Sequence, residues 1–181
     1  MVSAMPSWGG PLFAAATLLI LAAVPKIWYP DDTTRAIRST GLPGSNLLVR
    51  LLAVGELVIG GYALLVGDRV SAGLVAASYL GFTGFVLLAR SKDGVVSSCG
   101  CFGPPDTPPT RSHIVVTALL AAGALGAVIS PVGSVSQLTD DPAKGLALAL
   151  LAGVCVALAY IALAILPTLA AATSSTAPEK P

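Results

Sequence analysis

The chain of 181 residues is 55% hydrophobic and only 10% charged, with a mean hydropathy of +0.84. Soluble domains carry about 25% charged residues, so this composition excludes an ordinary soluble domain and favours an integral membrane protein. The formal net charge is +1. Without a basic stripe to neutralise phosphates, nucleic acid is excluded as a partner, and the lipid bilayer is the expected surrounding.

Five apolar segments have the length of about 20 residues that a helix needs to cross a bilayer. In chain order the predicted spans cover residues 10–27, 45–66, 70–89, 111–132 and 144–166. No Lys or Arg precedes Lys26, so we interpret the first run as a permanent span and not as a secretory signal. The sequence predicts an all-α polytopic bundle within residues 1–172 and a disordered polar tail over 173–181.

The connection between the first two spans predicts a short helix over residues 33–39, which Asp31 or Asp32 would cap. Arg35 and Arg38 are three residues apart and would share one face of it. This pattern favours a helix that lies along the lipid headgroups. A solvated loop is the alternative interpretation.

The basic residues predict the orientation, because Lys and Arg collect on the cytoplasmic side of a membrane. A five-span topology leaves Arg69 and Lys144 on one side and eight basic residues on the other. Those eight are Lys26, Arg35, Arg38, Arg50, Arg90, Lys92, Arg111 and Lys180. We therefore predict a multi-pass plasma-membrane protein with its N-terminus outside, and with the loop over 90–110 and the C-terminus in the cytoplasm.

The loop between the third and fourth spans contains the segment Cys99-Gly100-Cys101-Phe102-Gly103. A disulfide across one intervening residue closes a small strained ring, and strained exposed disulfides tend to be labile or catalytic. The basic residues Lys92 and Arg111 flank the loop and would favour the reactive thiolate. The pattern therefore predicts a pair, Cys99 and Cys101, that cycles between dithiol and disulfide.

Two other interpretations of the cysteine pair stay open. The thiols could bind a soft metal ion with His113 as a third ligand, although structural zinc requires four ligands, or they could be inert within a tight loop. His113, the only histidine, is a candidate proton acceptor for the thiols. The alternative is a packed or snorkelling side chain. Cys155, within the last span, is expected to behave as a small apolar residue.

Glu56 is the one acidic residue inside a predicted span. An acid at that depth is costly and requires a partner. Lys26, at the end of the first span, is the first candidate, and Arg90 and His113 are the alternatives. The pair would be either a structural link between two helices or a group that handles protons.

Several glycines in the spans predict close helix packing: Gly60, Gly61, Gly81, Gly84, Gly123 and Gly126. Tyr62, Tyr79 and Phe82 are most simply packing residues. A quinone-like ligand among these three rings is the alternative.

The order of these features resembles the MauE family of methylamine utilisation membrane proteins, within the wider DoxX-like group. The features are Lys26, Asp31 or Asp32, Gly41-Leu42-Pro43, Glu56 and the cysteine motif over 99–103, and the resemblance covers about residues 10–130. It implies a four-helix membrane core, to which the fifth helix is appended. It also implies that Cys99 and Cys101 are the motif cysteines and that Lys26 and Glu56 are the intramembrane polar positions.

The resemblance also implies a function. MauE proteins support production of methylamine dehydrogenase, a disulfide-rich periplasmic enzyme. They are thought to act with thioredoxin-like partners. DoxX-like relatives are linked to thiol and sulfur redox, some with quinones. The leading prediction is thiol–disulfide redox or electron delivery through Cys99 and Cys101, with a thioredoxin-like or rhodanese-like partner. Lys26, Glu56 and His113 would tune protonation, and a quinone is the candidate cofactor. The alternatives are a non-enzymatic scaffold or assembly subunit, and a carrier for a small molecule or metal ion.

Overall fold

The computed structural model describes residues 8–91, 111–132 and 142–165, and these ranges contain helices and no strand. The helices are α1 (Gly9–Trp28), α2 (Pro30–Ser39), α3 (Asn46–Leu65), α4 (Arg69–Ser91), α5 (Arg111–Ile129) and α6 (Pro142–Tyr160), which continues as a wider π-turn over Ile161–Ile165. Five of them are long and apolar enough to cross a membrane. The predicted all-α polytopic membrane bundle is therefore confirmed.

Helix α1 is the centre of the bundle and packs against each of the other long helices. Its core side chains are small or aliphatic: Leu12, Ala15, Ala16, Leu18 and Leu19 are fully enclosed. Helix α3 packs mainly on α1, whereas α4 packs mainly on α5, and few contacts join α3 to α4. Consequently α3 and α4 are neighbours in sequence but are only loosely joined in space.

The direction of each helix follows from its contacts with α1. Glycines in α3 and α5 approach α1 closely, so that a β-carbon at Gly60 would lie 2.8 Å from the carbonyl oxygen of Ala16, and one at Gly123 would lie 2.7 Å from Pro11. Farther along α1, Lys26 meets Glu56, which precedes Gly60 in α3, and Trp8, which precedes Pro11, lies against Gly126 of α5. Both helices therefore run antiparallel to α1. The backbone N–H of Val132 donates to the carbonyl oxygen of Gly67 over 3.3 Å, which joins the end of α5 to the turn between α3 and α4.

These directions place four helix termini at one end of the bundle, which we call the α2 end: the end of α1, the start of α3, the end of α4 and the start of α5. Lys26, Arg50, Arg90 and Arg111 belong to this end, whereas Arg69 lies at the other. This separation of basic residues between the two ends agrees with the five-span topology, which places Arg69 on the side opposite Lys26, Arg50, Arg90 and Arg111. Which end faces the cytoplasm stays a prediction.

The glycine prediction is confirmed at some positions and wrong at others. Gly60, Gly123 and Gly126 face neighbouring helices at distances too short for a side chain. A β-carbon at Gly61, Gly81 or Gly84 would meet nothing within 4 Å. Among the described helices, none lies close to these three glycines, so they do not mediate close contacts within the described part of the bundle.

Helix α2 is longer than predicted because Pro30 supplies its first residue, a position where the missing N–H costs nothing. A polar network fixes it to the start of α3. The Nδ2 of Asn46 donates to Oδ1 of Asp31 over 2.7 Å, and the hydroxyl of Thr34 donates to Oδ1 of Asn46 over 2.9 Å. Arg35, 74% exposed in its side chain, pairs with Asp32. The segment is therefore a helix and not a loop, and its position along the headgroups stays a prediction. The predicted cap is wrong, because the helix begins earlier at Pro30 and places Asp31 and Asp32 within its first turn.

At the opposite end of the bundle, Asp68 directly precedes α4 and caps its first turn. Its carboxylate accepts from the backbone N–H of Ser71 over 2.7 Å and from the hydroxyl of Tyr62 over 2.9 Å. The bond from the Ser71 N–H is the largest reason that the pKa of the Asp68 carboxyl is below its usual value. The Tyr62 hydroxyl is therefore hydrogen-bonded at this turn, at the end of the bundle away from α2.

Candidate functional site

A buried ion pair joins α1 to α3. The ammonium of Lys26 donates to Oε1 of Glu56 over 2.6 Å and to Oε2 over 2.8 Å. The side chains are 4% and 8% exposed, so the pair lies inside the bundle. This contact confirms the prediction that Lys26 is the partner of Glu56.

Local sequence explains how the two charges meet. Glu56 is about 15 Å along α3 from its first residue, whereas Lys26 is in the last turn of α1. The long aliphatic stem of a lysine lets the charged group reach away from its own backbone. Because Gly60 lets α3 lie against Ala16 of α1, the two backbones are close enough for the pair to form.

An aromatic pair from α4 completes the surroundings of Lys26. The ammonium lies 4.7 Å from the centre of the Phe82 ring, a distance at which a cation is attracted to the ring face. Phe82 makes an edge contact with Tyr79 at 5.8 Å, and the Tyr79 hydroxyl donates to the carbonyl oxygen of Ala15 over 2.8 Å. Tyr79 and Phe82 are thus packing residues, as predicted, and Phe82 also contacts the ion pair.

A cavity of about 600 Å³ lies beside this ion pair, between α3 and α4. Its wall is apolar except for Lys26, Glu56, Thr33 and Ser78. Two features of the fold create it: α3 and α4 each pack on a different neighbour, and the two helices present glycines to the space between them. No pattern in the sequence predicts this cavity.

The lining residues of the cavity differ between the α2 end and the outer side of the bundle. Ile37 of α2 and Leu42 line it at the α2 end of the bundle. On the outer side, Leu51 and Leu52 of α3 and Gly81 of α4 are exposed lining residues. Since α3 and α4 are membrane-spanning helices, this side opens toward the lipid.

Most of the chain matches a known family of membrane proteins. The model of the family described as methylamine utilisation protein MauE matches residues 4–130. The chain belongs to the MauE family. No curated protein and no solved structure matches it. The matched region covers α1 to α5, including Lys26, Glu56 and the segment over 99–103, and it leaves α6 outside.

In this MauE protein, the predicted site residues fall into two groups. Lys26 and Glu56 are in direct contact. Cys99 and Cys101 lie outside the described residues, in the segment between the end of α4 and the start of α5. The redox, metal-binding and inert-loop interpretations of these thiols therefore stay predictions.

His113 lies in the first turn of α5 and is 1% exposed, so its side chain is packed inside the bundle. Its carbonyl oxygen accepts from the hydroxyl of Thr117 over 2.7 Å, and that hydroxyl lies 2.8 Å from the hydroxyl of Thr83 in α4. These bonds join α5 to α4. The role of His113 as a proton acceptor stays a prediction.

Cys155 lies in α6, half-buried and free. It belongs to the part of the chain beyond the family match, away from α3 and α4. This position agrees with the expected role as a small apolar residue, and it makes Cys155 a suitable internal control for the chemistry of the other two thiols.

Proposed function

We propose that this MauE protein is a thiol–disulfide redox protein of the membrane, in which Cys99 and Cys101 alternate between dithiol and disulfide. The main support is where the helices adjoining the cysteines lie. Helix α4 ends and α5 begins at the α2 end of the bundle, and Lys26 and the cavity beside it are at the same end. A thiol pair and an intramembrane polar pair within one matched family region suit electron exchange at a membrane surface.

The proposed exchange involves a thioredoxin-like or rhodanese-like partner. A thiolate of one protein attacks the disulfide of the other, a mixed disulfide forms, and a second thiolate releases it. Two electrons pass between the proteins, and the leaving thiolate takes a proton. Lys92 and Arg111 flank the two cysteines in sequence, and their positive charge favours the thiolate form.

The remaining residues have supporting roles in this proposal. His113 accepts the thiol proton, and Lys26 and Glu56 tune protonation within the membrane. We infer one membrane domain over residues 1–172 and a tail over 173–181, with the cysteine segment and the C-terminus in the cytoplasm. The family description, methylamine utilisation protein MauE, supports methylamine metabolism as the proposed setting of the exchange.

Counting thiols in native membranes tests the proposal. The chain has three cysteines, so fully reduced protein that is denatured and treated with a maleimide–polyethylene glycol reagent shifts three times on a gel. After mild oxidation with diamide, we expect a single shift, from Cys155, and dithiothreitol restores all three. The disulfide forms within one chain, so the mobility of the monomer is retained.

Serine variants provide the controls. Cys99→Ser and Cys101→Ser each leave two thiols that diamide does not remove, whereas Cys155→Ser retains a reversible loss of both. Equal labelling of wild-type protein before and after oxidation contradicts the proposal. If the Cys99→Ser, Cys101→Ser double variant also supports normal growth on methylamine, the scaffold function gains support.

A further inference from the structure

We propose that the cavity between α3 and α4 binds a long-chain lipid alcohol, whose hydroxyl lies between the Lys26 ammonium and the Glu56 carboxylate. The hydroxyl accepts from Lys26 and donates to Glu56, and the chain fills the apolar remainder of the cavity. This inference goes beyond the proposed redox function, because the binding involves neither Cys99 nor Cys101.

The shape of the cavity fits one extended chain. Its lining residues in α3 extend from Leu48 to Ile59, which is about 16 Å along a helix axis. A volume of about 600 Å³ over this length gives a mean cross-section of about 36 Å². An α-helix needs about 80 Å² at its narrowest, so the cavity is too slender for a helix of a partner protein.

The walls of the cavity favour a ligand that is dissolved in the bilayer. Leu51, Leu52 and Gly81 line it and are exposed on membrane-spanning helices, whereas Ile37 and Leu42 line it at the α2 end. Apolar walls disfavour water, which needs several polar partners. A lipid chain that enters sideways between α3 and α4 therefore suits the cavity better than a molecule from the aqueous side.

The polar groups of the cavity suit a hydroxyl. An ammonium has three N–H donors, and Lys26 uses two of them on Glu56. Among the described residues, the two oxygens of Glu56 are its only hydrogen-bond acceptors. The carboxylate has about four acceptor positions, so it can accept a further bond. A hydroxyl is both a donor and an acceptor, and it can therefore bond to both members of the pair at once.

The depth of the pair argues against a phospholipid as the bound group. Glu56 is about 15 Å along α3, or half of a helix that is about 30 Å long. Phospholipid headgroups flank a hydrocarbon core about 30 Å thick, so at this depth a phospholipid offers only methylene groups. A lipid alcohol has no charged headgroup that holds it at the surface. Its uncharged hydroxyl also adds no unpaired charge beside the neutral Lys26–Glu56 pair.

Photolabelling of the full chain in phosphatidylcholine nanodiscs tests the site. The probe is hexadecan-1-ol with a photoreactive diazirine in its chain, and the labelled peptides are identified by mass spectrometry. Only label that excess unmodified hexadecan-1-ol removes is counted, because contacts with the lipid-facing surface do not saturate. We expect this competed label on α3 and α4.

Matched competitors test the role of the hydroxyl. Hexadecyl methyl ether can accept from Lys26 but cannot donate to Glu56, so it should compete about tenfold less well than hexadecan-1-ol. Hexadecane, which has no polar atom, should compete less well than either. In the double variant Lys26→Met, Glu56→Met, hexadecan-1-ol and its methyl ether should compete equally, because the pair that distinguishes them is absent.

Glycines on the same two helices provide matched protein variants. Gly81→Leu fills the cavity from α4 and should reduce the competed label about tenfold. Gly84, like Gly81, has nothing within 4 Å of a built β-carbon but does not line the cavity, so Gly84→Leu should stay within about twofold of wild type. In α3, Gly55→Leu should match Gly81→Leu, and Gly61→Leu should match Gly84→Leu. Folding of each variant is checked by its unfolding transition.

Equal competed label in Gly81→Leu and Gly84→Leu overturns the inference. Equal competition by hexadecan-1-ol and its methyl ether in the wild-type protein also overturns it, because the pair then has no part in binding. The Cys99→Ser, Cys101→Ser double variant should label like wild type. Failure of the thiol count thus refutes the proposed redox function alone, and absence of competed label refutes the lipid-alcohol site alone.

Discussion

Replacing Glu56 with Gln should lower the free energy of unfolding by about 3–5 kcal/mol, because it leaves the Lys26 ammonium buried without a counter-charge. The wild-type ammonium donates to both carboxylate oxygens, and an amide offers one oxygen and no charge. Unfolding of the protein in dodecylmaltoside by added sodium dodecyl sulfate, followed by circular dichroism, measures the difference. Lys26→Met should have an effect of similar size.

Two comparison variants separate the charge effect from packing. Asp32→Asn breaks the exposed pair with Arg35 and should cost about 1 kcal/mol or less. The double variant Lys26→Met, Glu56→Met removes both charges, and replacing a buried pair by apolar residues is often neutral in stability. We therefore expect the double variant to fold with a stability close to that of the wild-type protein. A single Glu56→Gln variant as stable as wild type would contradict the buried ion pair.

Replacing Gly60 with Ala should destabilise the bundle by about 1–3 kcal/mol, because the new β-carbon would crowd α1. It would lie 2.7 Å from Cγ1 of Ile20 and 2.8 Å from the carbonyl oxygen of Ala16. The backbone oxygen cannot turn aside as a flexible side chain does, so α1 and α3 must separate. The same detergent unfolding experiment measures the loss.

The neighbouring glycine is the control for this prediction. A β-carbon at Gly61 meets nothing within 4 Å, and alanine is the better helix former by about 1 kcal/mol. Gly61→Ala should therefore be neutral or stabilising. If the variants at positions 60 and 61 are equally stable, α1 and α3 do not pack as described.

The sequence predicted those parts of the fold that depend on composition along one helix. Apolar length alone located the five spans. The Lys26–Glu56 pair was also predictable, because Glu56 is the one acidic residue at membrane depth and a buried charge requires a partner. The resemblance to MauE rested on the order of such features, and the family match over residues 4–130 confirms it.

Features that depend on how helices face one another were not predictable from this sequence. Gly60 and Gly61 are adjacent and chemically identical, yet rotation about the helix axis places one against α1 and the other in open space. The cavity arises from the choice of packing partners by α3 and α4. No local pattern shows that Gly55 and Gly81, on different helices, line the same space.

A redox titration in native membranes tests most directly whether Cys99 and Cys101 form a reversible thiol pair. Membranes are equilibrated with mixtures of reduced and oxidised dithiothreitol, and the free thiols of each chain are then counted. We predict that Cys99 and Cys101 are lost together in one two-electron transition, with Cys155 unchanged. Three free thiols per chain in every mixture would contradict the proposed redox function.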